Sequence, residues 1–287
     1  MTDVRASGGA GGVPPTGTAG ARATKLAAVG VRKAFDVSGG GSFTALAEVD
    51  LEVGAGEFVS LIGPSGCGKS TLLEILAGLQ MPTEGSVALD GRTVTGPGPD
   101  RAVVFQNYAL FPWRTVIQNV TFGPEIAGVD RAERLDRARR LLGLVGLSGF
   151  ADHFVWQISG GMRQRVGLAR ALACEPEVLL MDEPFGALDA LTRDLLQDQL
   201  LEIQRETRKS VVFVTHSVDE AIYLSDRIVV MGTGPGRVVR EISVGLDRDG
   251  GREAMRSTPR YGAIHREVWA LLEQELAKAA AGPGGGA

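Results

Sequence analysis

Short apolar runs bounded by turn residues alternate with longer stretches of helical period along most of this chain. That alternation predicts a parallel sheet covered by helices on both faces. Phe58-Val59-Ser60-Leu61-Ile62, Val178-Leu179-Leu180-Met181, Val211-Val212-Phe213-Val214 and residues 227–231 read as its buried strands. Helices are expected from Thr71, over 190–207 and through Glu220. Residues 26–35 and 44–53 have a strand-like pattern broken by Ser38-Gly39-Gly40-Gly41-Ser42, which predicts a small antiparallel sheet beside the main core. Two more strands are expected at 85–91 and 102–105. From about 107 to 173 the period is helical, with an amphipathic, Arg-rich stretch at 131–145, so an all-helical subdomain inserted into an α/β core is expected. Beyond Gly232 the pattern predicts a hairpin over 237–246. A last amphipathic helix is expected over 263–280, with Ile264, Val268, Leu271, Leu272 and Leu276 on one stripe. Residues 1–24 and 282–287 are dominated by Gly and other small residues and are expected to be disordered. The domain reading is therefore 25–245 for the α/β unit and 246–287 for a C-terminal extension.

With 287 residues, 44% hydrophobic and 22% charged, the chain can bury one good-sized core and a second lobe. No window approaches the roughly 20 apolar residues of a membrane span, and the N-terminus lacks a charged-then-apolar leader, so a cytoplasmic protein is expected and any membrane role needs partners. The formal charge of −4 argues against a nucleic-acid surface. Two cysteines, Cys67 and Cys174, are too few for a disulfide framework.

Gly63-Pro64-Ser65-Gly66-Cys67-Gly68-Lys69-Ser70 matches the G-x-x-x-x-G-K-[ST] loop that cradles nucleotide phosphates. It follows a buried strand and Thr71 opens a helix, the context that the motif requires. Chance would give about 0.01 such octamers in a chain of this composition. The glycines free backbone N–H groups for phosphate, Lys69 reaches the β and γ phosphates, Ser70 can ligate Mg²⁺, and the helix start adds its positive dipole end. Cys67 is either a filler in a tight loop or a thiol whose pKa is lowered by the surrounding amides. The strand at 178–181 ends in Asp182 and Glu183. Asp182 is suited to holding Mg²⁺ through water and Glu183 to polarising the attacking water, because adjacent strand residues point to opposite sides.

Ile158-Ser159-Gly160-Gly161-Met162 resembles the Leu-Ser-Gly-Gly-Gln signature of ATP-binding-cassette (ABC) transporters, departing at Ile158 and Met162. With the phosphate loop and the acidic strand end, the chain is similar to their nucleotide-binding subunits over about 25–245. The resemblance implies a P-loop NTPase (RecA-like) core with a parallel sheet, a small antiparallel β subdomain and the inserted helical subdomain. It also implies ATP and Mg²⁺ as ligands. Ser159, Gly160 and Gly161 would form a second phosphate clamp facing the ATP of another copy, giving a head-to-tail homodimer. Phe35 matches the aromatic that stacks on adenine, Gln106 the glutamine that contacts Mg²⁺ and links core to helical lobe, Asp189 the loop that crosses the dimer interface, and His216 the switch histidine that senses the γ-phosphate. His153 and His265 read as surface residues.

The aromatic run Tyr108-Ala109-Leu110-Phe111-Pro112-Trp113-Arg114-Thr115-Val116 resembles importers of the nitrate, sulfonate and taurine group. That resemblance implies an integral-membrane permease docked near Gln106 and Trp113, an extracytoplasmic solute-binding protein, and a place on the cytoplasmic face of the membrane. Other solutes, such as a vitamin or pyrimidine precursor, stay open. A soluble non-transport ABC ATPase usually has a long coiled-coil insertion or two cassettes, neither of which this sequence contains. A metabolic P-loop kinase leaves Ser159 to Gly161 and His216 without a role.

Overall fold

The computed structural model describes residues 22–37, 39–186 and 188–281. The expected disorder at 1–21 and 282–287, and the turn residue Ser38, lie outside the described residues.

A long antiparallel pair comes first: β1 (Thr24–Asp36) and β2 (Ser42–Gly54) join β4 (Glu84–Leu89) and β5 (Arg92–Thr93) in the order β2-β1-β4-β5. β1 begins inside the span expected to be disordered, and Arg22 pairs with Asp226 at 2.8 Å. The second sheet contains β3 (Phe58–Ile62), β6 (Arg101–Val104), β7 (Val178–Asp182), β8 (Ser210–Thr215), β9 (Arg227–Gly232) and β10 (Arg237–Ser243). Its order is β10-β9-β3-β8-β7-β6, parallel except for the β9–β10 edge. The expected hairpin over 237–246 is thus a single strand that folds back on β9.

Alternate strand residues face opposite layers, as the pleat requires. Val59, Leu61, Leu180, Val212, Val214 and Val229 pack against α1 (Lys69–Ala77) and the antiparallel sheet. Phe58, Ile62, Leu179, Met181, Val211 and Phe213 face the layer of α2 (Val116–Ile126), α3 (Arg131–Leu144), α4 (Gly160–Ala173), α5 (Ala190–Thr207) and α6 (Val218–Leu224). Both faces are covered, which is why these strands read as unbroken apolar runs instead of alternating ones.

The C-terminal extension has two helices where one was expected: α7 (Gly251–Arg256) and α8 (Pro259–Ala281). Ile264 and Val268 are fully buried and Leu271 and Leu272 half-buried, but Leu276 is 54% exposed. Glu275 takes the inward position instead, 1% exposed, because Arg237 at 3.0 Å and Lys278 satisfy its carboxylate. The Tyr261 hydroxyl donates to Asp219 in α6, fastening α8 to the core.

Burial, and then the hydrogen bond to Asp219, push the Tyr261 phenol up to about 12. The Tyr223 phenol is pushed to about 12 by burial and its bond to Asp198. Both side chains are neutral in the folded state. Their contribution to stability is complete below the ordinary tyrosine value near 10 and is lost as pH rises toward 12. Thermal melts at pH 9 and pH 11 are expected to differ less for Tyr261→Phe than for the wild type; an equal loss in both would refute the Tyr261 contribution.

Candidate functional site

The four parallel strands β6, β7, β8 and β3 end at one level. Val104 pairs with Met181, Asp182 with Val214, and Ile62 with Thr215. This register gathers Gly63 after β3, Gln106 after β6, Asp182 and Glu183 at β7 and His216 after β8 along the carboxyl edge of the sheet.

Pro64 and Gly63 are buried while Ser65 and Gly66 are exposed at the loop tip. Gly68 has φ 89°, and a Cβ there would lie 2.5 Å from Leu46 Cδ2. At Gly63 a Cβ would meet the Met231 carbonyl at 2.4 Å. These contacts admit no side chain. No side chain caps α1, whose N-cap is Gly68, so its first amides are not taken by a local acceptor side chain. Lys69 is buried, and its Nζ donates to the carbonyls of Gly63 and Pro64 at 2.8 and 3.1 Å, centring the charge in the loop. Thr71 is half-buried in the first turn. Cys67 is fully buried and burial pushes its thiol up, against the expected lowering. Desolvation of a thiolate outweighs the Lys69 charge and the loop amides there.

Ser70 Oγ donates to Asp182 Oδ1 at 3.2 Å. Burial raises the Asp182 carboxyl pKa, partly offset by that bond. Glu183 leaves the strand with φ 43°, rare for a residue with a side chain, its N–H donating to the Val214 carbonyl at 3.0 Å. Its Oε2 lies 3.3 Å from His216 Nδ1. The neighbouring acids thus have separate partners, Ser70 for Asp182 and His216 for Glu183. Gln106 is exposed, its Nε2 3.9 Å from where a Cβ on Gly186 would stand. Phe35 is half-buried at the end of β1, opposite Phe43, with Lys33 Nζ 5.1 Å from its ring centre.

Ser159 caps α4, its hydroxyl accepting from Met162 N–H at 3.3 Å. A Cβ on Gly161 would come within 2.8 Å of Thr192 Cγ2, so the signature glycine packs against the start of α5. Asp189 caps α5, accepting from Thr192 N–H at 3.0 Å, and these bonds hold its carboxyl below the usual range. Ala187 lies outside the described residues. α1 packs on one face of the parallel sheet and α4 on the other, so Ser159, Gly160 and Gly161 are grouped with Asp189 and not with the phosphate loop of their own chain.

A family profile described as "ABC transporter" matches residues 46–186. The chain is 54% identical to the taurine import ATP-binding protein TauB of Burkholderia thailandensis, covering 82% of this chain and 90% of that one. The chain belongs to the ATP-binding subunits of ABC transporters. It is also 50% identical to the nitrate import ATP-binding protein NrtC of Synechococcus elongatus, over 87% of this chain and 38% of that longer one. A solved structure of the ATP-binding cassette MJ0796, described as a dimer in a post-hydrolysis state bound to ADP and Pi, superposes with a TM-score of 0.69 at 36% identity, covering 76% of this chain and 98% of that one.

In this ABC subunit several residues that sequence patterns passed over position the expected ones. Gln164, buried in α4, donates to the Pro184 carbonyl and ties the signature helix to the loop that carries Glu183. Arg170 donates to the carbonyls of Tyr108 and Ala109 at 2.8 and 2.6 Å, fixing two residues of positive φ just after Gln106. A polar side chain interrupting the apolar stripe of α4 was the only signal for Gln164. Phe111 packs on Phe122 with ring centres 4.4 Å apart, whereas Trp113 is 71% exposed. An isolated bridge between Thr115 and Phe154 brings the stacked pair Phe154 and Trp156 to the same end of the lobe, with Trp156 68% exposed. His153 is exposed, while His265 is half-buried between Tyr261 and Trp269 in a stack.

Cys174, at the C-terminus of α4, is half-buried, and burial raises its thiol too. Under native conditions near neutral pH, iodoacetamide is expected to modify Cys174 before Cys67, both slowly, as read by peptide mass spectrometry. Preferential labelling of Cys67 would restore the activated-thiol view.

Proposed function

We propose that this ABC subunit binds and hydrolyses ATP as one of a head-to-tail pair and thereby drives uptake of a small anion such as an aliphatic sulfonate, taurine or nitrate. The observation that carries the hydrolytic part is the level ending of four parallel strands, which sets the Ser70–Asp182 and Glu183–His216 pairs beside one phosphate loop. The import part rests on relatives named for taurine and nitrate import and on the aromatic run through Trp113.

The donors suit Mg²⁺: the Ser70 hydroxyl and the Gln106 carboxamide would supply hard oxygen ligands and the Asp182 carboxylate would hold the ion through water, few enough contacts to leave positions for water and phosphate. When bound, Mg²⁺ offsets the negative charge of the β and γ phosphate oxygens. Lys69 exchanges its loop carbonyls for phosphate oxygens, and the α1 amides point at the same anion. Glu183 accepts a proton from the attacking water while His216, at hydrogen-bonding reach, holds the Glu183 side chain and meets the γ-phosphate. Phe35 offers a ring face to adenine. The Ser159 helix start faces outward to the nucleotide of a second copy, and Asp189 lies beside it at the same interface; the cassette MJ0796 described as dimeric with ADP and Pi supports this arrangement.

Trp113, Phe154 and Trp156 form an exposed aromatic surface beside the loop that follows Gln106, suited to receiving a short helix of a membrane permease. Among the described residues no helix is long and apolar enough to cross a membrane, in keeping with peripheral attachment through such a permease at the cytoplasmic face. A separate extracytoplasmic binding protein would then supply the solute. Closure of the ATP-bound pair would pull on the permease through this surface, and hydrolysis would release it.

Glu183→Gln is expected to lower kcat by about 10²-fold or more while allowing ATP-dependent dimers in gel filtration. A monomeric mutant in Mg-ATP would count against the sandwich. Trp113→Ala is expected to keep basal ATPase and lose transport by the reconstituted complex; persisting transport would move the permease site elsewhere. Deleting the gene in its host is expected to impair growth on one of taurine, an alkanesulfonate or nitrate and so to identify the solute class; normal growth on all three would overturn the small-anion assignment.

A further inference from the structure

The C-terminal extension reaches the switch histidine through a buried polar chain. Arg252, on α7, donates from Nη1 to Gln197 Oε1 at 2.7 Å. Gln197, 1% exposed, donates through Nε2 to Glu220 Oε1 at 2.9 Å. Glu220 is buried in turn and its other oxygen accepts from the Thr215 hydroxyl. Thr215 Oγ1 also accepts from the Ser217 N–H at 3.0 Å. Of the chain neighbours of His216, Thr215 is therefore tied to this carboxylate directly and Ser217 through the Thr215 hydroxyl. That carboxylate lies 3.8 Å from Arg193 Nε, whose Nη2 donates to the Leu188 carbonyl in the loop before α5 at 2.8 Å.

We propose that Arg252 is a positioning residue for ATP hydrolysis, acting through Gln197 and Glu220 to hold the His216 loop and the Leu188–Asp189 loop in one arrangement. A buried carboxamide has one acceptor end and one donor end, and Arg252 and Glu220 together fix which way Gln197 faces. With a guanidinium on Oε1, the amide nitrogen must face Glu220. Without it, a buried oxygen loses its partner, at a cost that favours displacement of the side chain or entry of water, and the Gln197 hold on Glu220 loosens. Arg252 is itself firmly held: its guanidinium lies 3.7 Å from the Tyr223 ring centre and donates to Asp198 at 3.1 Å. The coupling is thus built into the fold between a segment outside the catalytic unit and the groups that meet the γ-phosphate.

This rests on His216 acting as the switch, so the test separates the two. Steady-state ATPase of the full chain is measured for His216→Ala, Arg252→Ala, Arg252→Lys and Arg248→Ala. Arg248 anchors the same segment to the Tyr223 carbonyl at 3.1 Å and to Asp226 but does not touch Gln197. Arg252→Ala is expected to lower kcat about fivefold with KM for ATP changed less than about twofold, since a displaced loop affects the reacting groups more than nucleotide binding. Arg252→Lys is expected to recover part of that loss, and Arg248→Ala to keep kcat within about twofold while lowering Tm comparably. In a double-mutant cycle, Gln197→Leu added to Arg252→Ala is expected to cause little further loss. Unchanged kcat in Arg252→Ala, equal kcat losses in Arg252→Ala and Arg248→Ala, or additive effects of Arg252 and Gln197 would each overturn the proposal. Unchanged turnover in His216→Ala would instead overturn the switch assignment itself.

Discussion

The backbone N–H groups that open α1 have no capping side chain, because Gly68 precedes them in a left-handed conformation closed against Leu46. That leaves them free to meet an anion from outside, and the surrounding architecture determines what meets that anion. β3 delivers the loop from the centre of the parallel sheet, and Lys69 sits folded onto its carbonyls. β7 and β8, ending level with β3, bring two carboxylates and an imidazole to the same edge. Asp182 ends β7 opposite Val214 and Glu183 turns out of the strand at φ 43°, so strand register and this turn set the directions of the two carboxylates before any side chain contributes.

The two faces of the sheet divide the remaining work. α1 and the antiparallel sheet lie behind the phosphate loop, while α4, α5 and α6 cover the opposite face. Gln164, Arg170 and Arg193 connect that second layer to the loops around Pro184, Tyr108 and Leu188 through one or two hydrogen bonds each to backbone carbonyls. Such bonds allow a helix to shift as a rigid body and carry a loop with it, the mechanical property a cassette needs if nucleotide at one edge is to move a partner at another.

Local chemistry was legible in the sequence wherever one short segment carries it. Phe58–Ile62, α5 at Ala190–Thr207 and the phosphate loop were read at or near their observed bounds, because unbroken apolar runs and glycine spacing act over a few residues. The extension was read less well. Leu276 fitted the apolar stripe, yet Glu275 is the buried side chain, held by Lys278 on the same helix and by Arg237, 38 positions away in sequence. α7 is six residues long, too short to display a period. Cys67 was read from its helix-start position alone, whereas the packing that desolvates it comes from Gly63 and the interior beneath. Arg252 and Gln197 drew no notice in the sequence for the same reason: the bonds that join Arg252 to Gln197 and Gln197 to Glu220 span 55 and 23 positions.

All three tryptophans of the chain stand at the surface: Trp113 is 71%, Trp156 68% and Trp269 52% exposed. The core is lined instead by aliphatic side chains with Phe58, Phe185 and Phe213 at its centre. Intrinsic emission from the folded chain is therefore expected to lie toward that of solvated indole, each indole still resting against one aromatic neighbour. Unfolding is then expected to shift its wavelength little, so denaturation is better followed by circular dichroism. Covering of Trp113 and Trp156 by another molecule, in contrast, would shift the emission to the blue, which makes fluorescence of the unmodified chain a direct optical gauge of assembly.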